Sequence, residues 1–194
     1  MNLDTFKFHV DAYKEHNQLF DAAEYLLRSF GLEDDHLEGF GLRNDEKPNF
    51  VVVTTEGEFN GKQKIMIPKN LFDFDLSLVL NLIAHEMLHV RQKTQEPVVE
   101  DKNEREFQAY SEMLFHTNFP LIPDAPDFNR KQFCEKALDY YKRMGENSDL
   151  QKKYEAEKIK IEELLDEILI ERGEKQQKKS ENIQNEDKTK NFMD

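Results

Sequence analysis

Apolar residues recur at helical spacing through the first 30 residues of the chain. The apolar stripe consists of Phe6, Val10, Tyr13, Phe20, Leu27 and Phe30. Separations of three, four and seven residues place such a stripe on one side of an α-helix. Gly31 follows the stripe, and glycine suits the left-handed position that often ends a helix. The pattern predicts one amphipathic helix over residues 4–30.

A β-hairpin is predicted next. Residues 49–55 read N-F-V-V-V-T-T, the strongest β-branched run in the chain, and residues 63–67 alternate apolar and polar positions before Pro68. These are strand patterns. Between them, Asn60-Gly61 suits a tight type I′ turn. The preceding residues 32–47 are polar and contain glycines, and no regular element is predicted there.

The second half of the chain is predicted to be helical. Residues 76–93 are apolar on nearly all sides, which indicates a helix running through the core. A helix over 102–115 follows, then a stretch that Pro120, Pro123 and Pro126 keep from being helical throughout. Asp127 is placed to cap a helix that reaches Met144 before Gly145. A charged helix over 148–172 completes the series.

These elements predict an α+β domain over residues 1–172, mostly helical, with a small β-hairpin or sheet packed on a central helix. Residues 173–194 are rich in Lys, Gln, Asn and Glu and almost free of apolar residues, so they are predicted to be a disordered tail.

Composition restricts the classes of function. The net charge of −13 argues against nucleic acid as a partner, because phosphate binding needs a basic surface. No run approaches the roughly 20 apolar residues that cross a bilayer, and no secretory signal pattern opens the chain. The lone Cys134 excludes an intramolecular disulfide and is interpreted as a small apolar residue within a helix. We expect a cytoplasmic protein of a bacterial cell or a phage-infected host.

The segment H-E-M-L-H at residues 85–89 carries recognisable chemistry. His85 and His89 are four residues apart, so both imidazoles project from one helix face and can bind one metal ion. Glu86 lies beside that face, where it would act as general base toward a zinc-bound water rather than as a ligand. Chance would produce this pattern in a chain of this composition with a probability of about 0.02. Core histidines without any metal are the competing interpretation.

A catalytic zinc site needs a third protein ligand. The metzincin pattern is excluded, because Gln92 and Gln95 occupy its glycine and histidine positions. Glu106 is the preferred ligand, since it shares a helix face with Ala109, Tyr110 and Met113, and small Ala109 would let two helices pack closely. Glu104 competes with it but points to a different face.

The motif at 85–89 followed by E-F-Q-A at 106–109 resembles the gluzincin-type metallopeptidases, especially the CAAX prenyl endopeptidase and HtpX families. Their second motif is similar to E-F-x-A-D, which implies that Glu106 is the third zinc ligand and that Tyr110 replaces an aspartate supporting a histidine. H-V-R-Q at 89–92 is similar to a continuation found in small soluble metallopeptidase domains of bacteria and phages. The resemblance covers residues 82–113, and because the two named families are membrane enzymes, their substrates do not transfer.

The sequence therefore predicts a zinc metallopeptidase that acts on peptides or proteins. Candidates for stabilising an oxyanion are His116, Tyr140 and Tyr141, although ordinary packing also accounts for each of them. Residues 63–67 are a candidate edge strand for pairing with extended substrate, or simply part of a structural hairpin.

Two other functions remain open. A non-catalytic zinc protein would bind a partner, or a second copy of the chain, through its acidic surface or its C-terminal helix, whose apolar residues approach a coiled-coil repeat. A metal-free helical adaptor is the other reading.

Overall fold

Seven α-helices and a three-stranded sheet form the part of the chain that the computed structural model describes, residues 2–44, 50–171 and 173. The helices are α1 (Leu3–Glu15), α2 (Leu19–Ser29), α3 (Leu76–Thr94), α4 (Lys102–Phe115), α5 (Asp127–Arg143), α6 (Asp149–Lys153) and α7 (Glu155–Glu171). The strands are β1 (Leu37–Arg43), β2 (Thr54–Glu56) and β3 (Gln63–Pro68). The predicted α+β class is confirmed. The predicted tail, apart from Gly173, lies outside the described residues, and the proposed domain boundary at 172 stays a prediction.

The prediction of one helix over residues 4–30 is wrong, because the chain reverses between α1 and α2. Asn17 adopts a left-handed conformation with φ 56°. The N–H of Gln18 donates to the Tyr13 carbonyl, and the N–H of Asn17 donates to the Lys14 carbonyl. This pair of bonds is a Schellman motif, with asparagine in the position that glycine usually takes. Apart from Phe20, which is exposed, the residues of the apolar stripe from both helices still pack into the same core.

The sheet has the order β1-β3-β2, which corrects one prediction and decides between two alternatives for another. Strand β1 lies within residues 32–47, where no element was predicted, and pairs parallel to β3. Strand β3, a candidate edge strand for substrate or part of a structural hairpin, is central and therefore has the structural role. The edge on the other side is β2, which pairs antiparallel to β3 and confirms the predicted hairpin.

Strand β2 is shorter than the predicted strand 49–55. Thr54 pairs with Met66, so a longer ladder would place Val52 opposite Pro68. Proline has no N–H to donate, which ends the pairing. Residues 51–53 continue outside the ladder toward Phe50.

The hairpin connection is a loop over residues 57–62 and not a type I′ turn. A type I′ turn needs positive φ at both central residues. Asn60 has φ 59°, but Gly61 is not among the glycines with positive φ. The loop depends on Gly57, which has φ 142° and whose Cβ, if present, would lie 2.6 Å from the Lys62 carbonyl oxygen. The N–H of Asn60 donates to the Lys93 carbonyl at 2.9 Å, which fixes the hairpin against the end of α3.

Helix α3 lies between two apolar clusters. One joins α1, α2 and the sheet to α3, and the other joins α4, α5 and α7. The residues of α3 that are fully buried include Val79, Leu80, Ile83, Ala84, Met87 and Val90. Burial of each large aliphatic side chain contributes roughly 1.5–3 kcal/mol, so α3 is held rigidly from both sides. No helix in the described part of the chain is long and apolar enough to span a bilayer.

The helix ends agree with the predictions except at two places. Asp75 caps α3 by accepting from Ser77 N, and Asp101 caps α4 by accepting from Glu104 N. At α5 the cap position is Pro126, so Asp127 is the first helical residue and not the cap. The predicted last helix is interrupted between α6 and α7 at Tyr154, whose ring turns inward to pack on Phe107 at 5.2 Å between ring centroids.

Candidate metal centre

Three predicted ligands meet at the contact between α3 and α4. His85 Nε2 and His89 Nε2 are 3.1 Å apart, and they lie 3.7 and 3.8 Å from the two carboxylate oxygens of Glu106. Both histidines are buried, and the Glu106 side chain is mostly so. Ala109, one turn from Glu106, is fully buried in the cluster that contains α3, as its small side chain predicted.

The spacing of these atoms suits a shared cation. Ligand atoms about 2.0–2.1 Å from zinc in a tetrahedral arrangement are separated from each other by about 3.3 Å. The three measured separations, 3.1, 3.7 and 3.8 Å, lie around that value. The two contacts of Glu106 are too long for hydrogen bonds, so direct hydrogen bonding does not account for the position of the Glu106 carboxylate. Two imidazoles and a carboxylate form a donor set that fits a divalent metal, whose identity the geometry leaves open.

The orientation of His89 is fixed by a hydrogen-bonded amide. The side-chain Nε2 of Gln92 donates to the Arg105 carbonyl at 3.1 Å, so its Oε1 must be the atom that faces His89 Nδ1 at 2.7 Å. Since Oε1 can only accept, His89 carries its proton on Nδ1. Burial, and then the neighbouring His85, lower the pKa of His89 to about 3. The imidazole is therefore neutral, and its Nε2 lone pair faces Glu106, as a metal ligand requires.

The same amide begins a directed chain of hydrogen bonds. Gln92 Nε2 also donates to Gln108 Oε1 at 2.7 Å, and Gln108 Nε2 donates to the Tyr154 hydroxyl. The Tyr154 hydroxyl then donates to Glu104 Oε1 at 2.6 Å, where Lys153 also donates at 2.7 Å. Each donor has one acceptor next in line, so the chain has a single direction from His89 to the Glu104 carboxylate. Glu104, the competing ligand candidate, is engaged here and lies outside the cluster of three ligand atoms.

The Nδ1 atom of His85 has a weaker hydrogen-bond acceptor beside it than that of His89. It lies 3.2 Å from the Met113 sulfur, a weak acceptor. The Tyr110 ring meets the His85 ring edge-on, with 4.8 Å between centroids. Tyr110 therefore contacts the histidine that an aspartate would support, but through its ring.

Glu86 occupies the same cavity without joining the three-atom cluster. The Thr55 hydroxyl lies 2.8 Å from Glu86 Oε2 and 3.0 Å from its backbone carbonyl, so it can donate to either oxygen. Burial raises the pKa of Glu86, and the nearby His85 and the Thr55 hydrogen bond oppose that rise. For Glu106 burial also acts upward, but His85 and His89 outweigh it and lower its pKa.

A cavity of about 560 Å³ opens onto the ligand atoms. One wall is the extended segment 50–55, which ends in the edge strand β2, and the others come from α3, α4 and α5. The polar wall residues that the sequence patterns above did not single out include Thr54, Thr55, Lys93, Lys102, Arg105 and Lys136. No sequence pattern around Thr55 identifies it as a site residue, whereas Gln92 lies one turn from His89 and belongs to the H-V-R-Q segment.

The three residues expected to stabilise an oxyanion do not line this cavity. His116 bonds Asn81 at 3.1 Å, and the Tyr141 hydroxyl donates to the Gln151 carbonyl at 3.0 Å. Tyr140 stacks on Tyr110 with 5.8 Å between ring centroids. Tyr110 is the tyrosine in the cavity wall, and burial raises its pKa, so its hydroxyl stays protonated.

Cys134 is fully buried within the cluster of α4, α5 and α7. Burial raises the pKa of its thiol to about 12, which leaves it as an unreactive apolar side chain.

Compared with protein-family models, with curated proteins and with solved structures, the chain gives no match.

Proposed function

We propose that this protein is a zinc-dependent metallopeptidase with His85, His89 and Glu106 as ligands and Glu86 as general base. The observation that carries the proposal is that two glutamates in one cavity have different surroundings and therefore suit different roles. Glu106 faces both imidazoles, whereas Glu86 lies beside them and bonds Thr55. A purely structural site has no use for the second carboxylate.

Zinc held by His85, His89 and Glu106 would supply an acidified water and polarise the scissile carbonyl, the role that it has in other hydrolytic enzymes. Glu86 would accept the proton of that water and pass it to the leaving amine. Thr55 holds one oxygen of the Glu86 carboxylate at 2.8 Å and so fixes its orientation. Tyr110 stays protonated in the cavity wall, and we assign its hydroxyl the donation of a hydrogen bond to the developing oxyanion.

The wall formed by residues 50–55 suits an extended substrate. Strand β2 uses one side to pair with β3, so its other side can accept the backbone of a peptide by strand addition. Thr55 belongs to this strand and contacts Glu86, so a peptide along it would pass the general base. The proposed edge strand for substrate is therefore β2 and not residues 63–67.

The test is the Glu86→Gln variant, assayed for hydrolysis of casein and a mixed peptide library after zinc loading. We expect activity to fall by about 10²–10⁴-fold, the usual contribution of a general base. Zinc content should stay near one equivalent, since Glu86 is not a ligand. Glu38→Gln, an exposed change in β1 away from the cavity, is the matched control and should keep activity. If wild-type protein with zinc bound hydrolyses no more than Glu86→Gln, the peptidase proposal is wrong.

A non-catalytic zinc protein that binds a partner is the second candidate. Ile159 and Ile170 of α7 are 46% and 61% exposed, unusual for isoleucine on a charged helix. This function predicts stoichiometric zinc together with the same negligible hydrolysis in wild type and Glu86→Gln. The assay above therefore separates the two candidates.

A further inference from the structure

The cavity over the candidate metal centre has two chemically different ends. At one end, the wall residues are large and apolar: Phe50, Leu82, Met113 and Phe133. At the other end, they are cationic: Lys93, Lys102 and Arg105. The ligand histidines and Glu86 lie between the two groups.

Helix α3 sets the distance between these ends. Leu82 and Lys93 are eleven residues apart, so a helical rise of 1.5 Å per residue separates them by about 16 Å. His85 and His89 fall inside this span. An extended peptide covers about 16 Å with roughly five residues, so one peptide can reach both ends across the metal centre.

Two other elements span the same two ends. Helix α4 has Arg105 beside Gln92 and Met113 beside His85, so it runs from the cationic end back to the apolar end. The segment 50–55 has Phe50 in a hollow shared with Tyr110 and Phe133. At its other end, the Lys93 ammonium donates to the Thr55 carbonyl at 3.3 Å.

The charge of the cavity wall is opposite to that of the whole chain. The chain has 27 basic and 40 acidic residues. Yet the cavity wall includes Lys93, Lys102, Arg105 and Lys136, and among the described residues the acidic ones that line it are the candidate base and ligand. Glu56 and Glu58 are close enough to influence Lys93, but they do not line the cavity. A peptide in the cavity therefore meets excess positive charge at the end formed by α3 and the start of α4.

We propose that the cavity selects peptides with a large apolar side chain on one side of the scissile bond and an acidic side chain four to five residues away from it, on the other side. This inference rests on the proposed peptidase function. The aromatic hollow takes the apolar side chain, and Lys93, Lys102 and Arg105 attract the acidic one. A lysine at the same peptide position meets like charge instead, which costs affinity.

Binding is tested with zinc-loaded Glu86→Gln protein, so that the measurement does not need hydrolysis. The probes are fluorescein-labelled octapeptides with one Phe and, four residues away, a Glu-Glu or a Lys-Lys pair, each made in both chain directions. In the better direction we expect the Glu-Glu peptide to bind at least about tenfold more tightly at low salt. The difference should shrink in 0.5 M salt, because salt screens such charges. Replacing Phe by Ala should weaken binding about tenfold.

Two charge-reversal variants test which end of the cavity produces the preference for the Glu-Glu peptide. Lys102→Glu, at the cationic end, should remove or invert the preference for Glu-Glu. Lys136→Glu is the matched control, because Lys136 is also an exposed lysine of the cavity wall but lies beside the aromatic hollow, so it should retain most of the preference. Equal binding of the Glu-Glu and Lys-Lys peptides in both directions would overturn the proposal. An equal loss of the preference for Glu-Glu in the two variants would also overturn it. If the preference holds but wild type cleaves none of the peptides, the peptidase proposal fails and the binding preference stands.

Discussion

Glu106 and Glu112 are carried by the same helix, less than two turns apart, and their carboxylates have different surroundings. Glu112 accepts from the backbone N–H of Asn118 and of Phe119 and from the Asn118 side chain, all at 2.8–3.0 Å. Glu106 faces two imidazole nitrogens at 3.7 and 3.8 Å. One carboxylate has its hydrogen bonds complete within the protein, and the other has partners at distances that suit an ion between them. Burial of a carboxylate alone therefore does not identify a metal site, whereas the distances to its neighbours do.

The largest expected effect is the stabilisation of the folded protein by zinc bound at Glu106 and the two histidines. A ligand that binds only the folded state stabilises it by about 4 kcal/mol at a free concentration 1,000 times its Kd. Thermal unfolding of wild type with zinc and with chelator should differ accordingly, and His85→Ala should show little difference. An equal zinc-induced shift in the variant would mean that zinc binds elsewhere.

Replacing the carboxylate of Glu106 tests directly whether it differs from Glu112 by binding the metal. Glu106→Gln should weaken zinc binding by about 100-fold or more, measured by competition with a chromophoric chelator. The metal-free variant should be slightly less stable than metal-free wild type, because His85 and His89 outweigh burial, lower the pKa of Glu106 and so stabilise its carboxylate in the folded state. Glu104→Gln is the control and should weaken zinc binding less. The reverse order would show that Glu104 is the ligand.

Glu112→Gln should give the opposite pattern. The new amide would direct its N–H groups at backbone N–H donors, so we expect a loss of about 2 kcal/mol in unfolding free energy. Zinc affinity should remain within about twofold of wild type, because nothing at the metal centre changes. Chemical denaturation and zinc titration on the same protein measure both quantities. A large loss of zinc affinity would show that the two ends of α4 are not independent.

The smallest expected effect concerns the chain of hydrogen bonds behind His89. Tyr154→Phe keeps the ring but removes the hydroxyl between Gln108 and Glu104, so zinc affinity should fall by roughly three- to tenfold. The absorption spectrum of the cobalt-substituted protein should also change, because the basicity of His89 changes. Tyr141→Phe is the matched control, since it removes a hydroxyl bond to the Gln151 carbonyl outside this chain. Equal zinc affinity in both variants would show that Tyr154 only packs.

The elements that depend on local pattern were predicted well from the sequence. Helix α4 has the predicted bounds, and α3 extends one residue further than predicted. Both have strong caps and continuous apolar faces, so neighbouring residues define them. The errors occur where a tertiary contact overrides the pattern: β1 contains two glycines and forms because β3 lies beside it, and the last helix breaks where Tyr154 turns toward Glu104.

The sequence by itself determined the placement of the histidine pair and of the candidate base, because residues four apart on a helix must share a face and Glu86 must lie beside it. It also determined which face of α4 Glu106 occupies. Only the tertiary structure decided that Glu106 comes within 4 Å of both imidazoles, that Gln92 fixes the His89 proton, and that β2 rather than β3 borders the cavity. Helical periodicity acts within a few residues, whereas these contacts join segments whose separation in space depends on how the whole core packs.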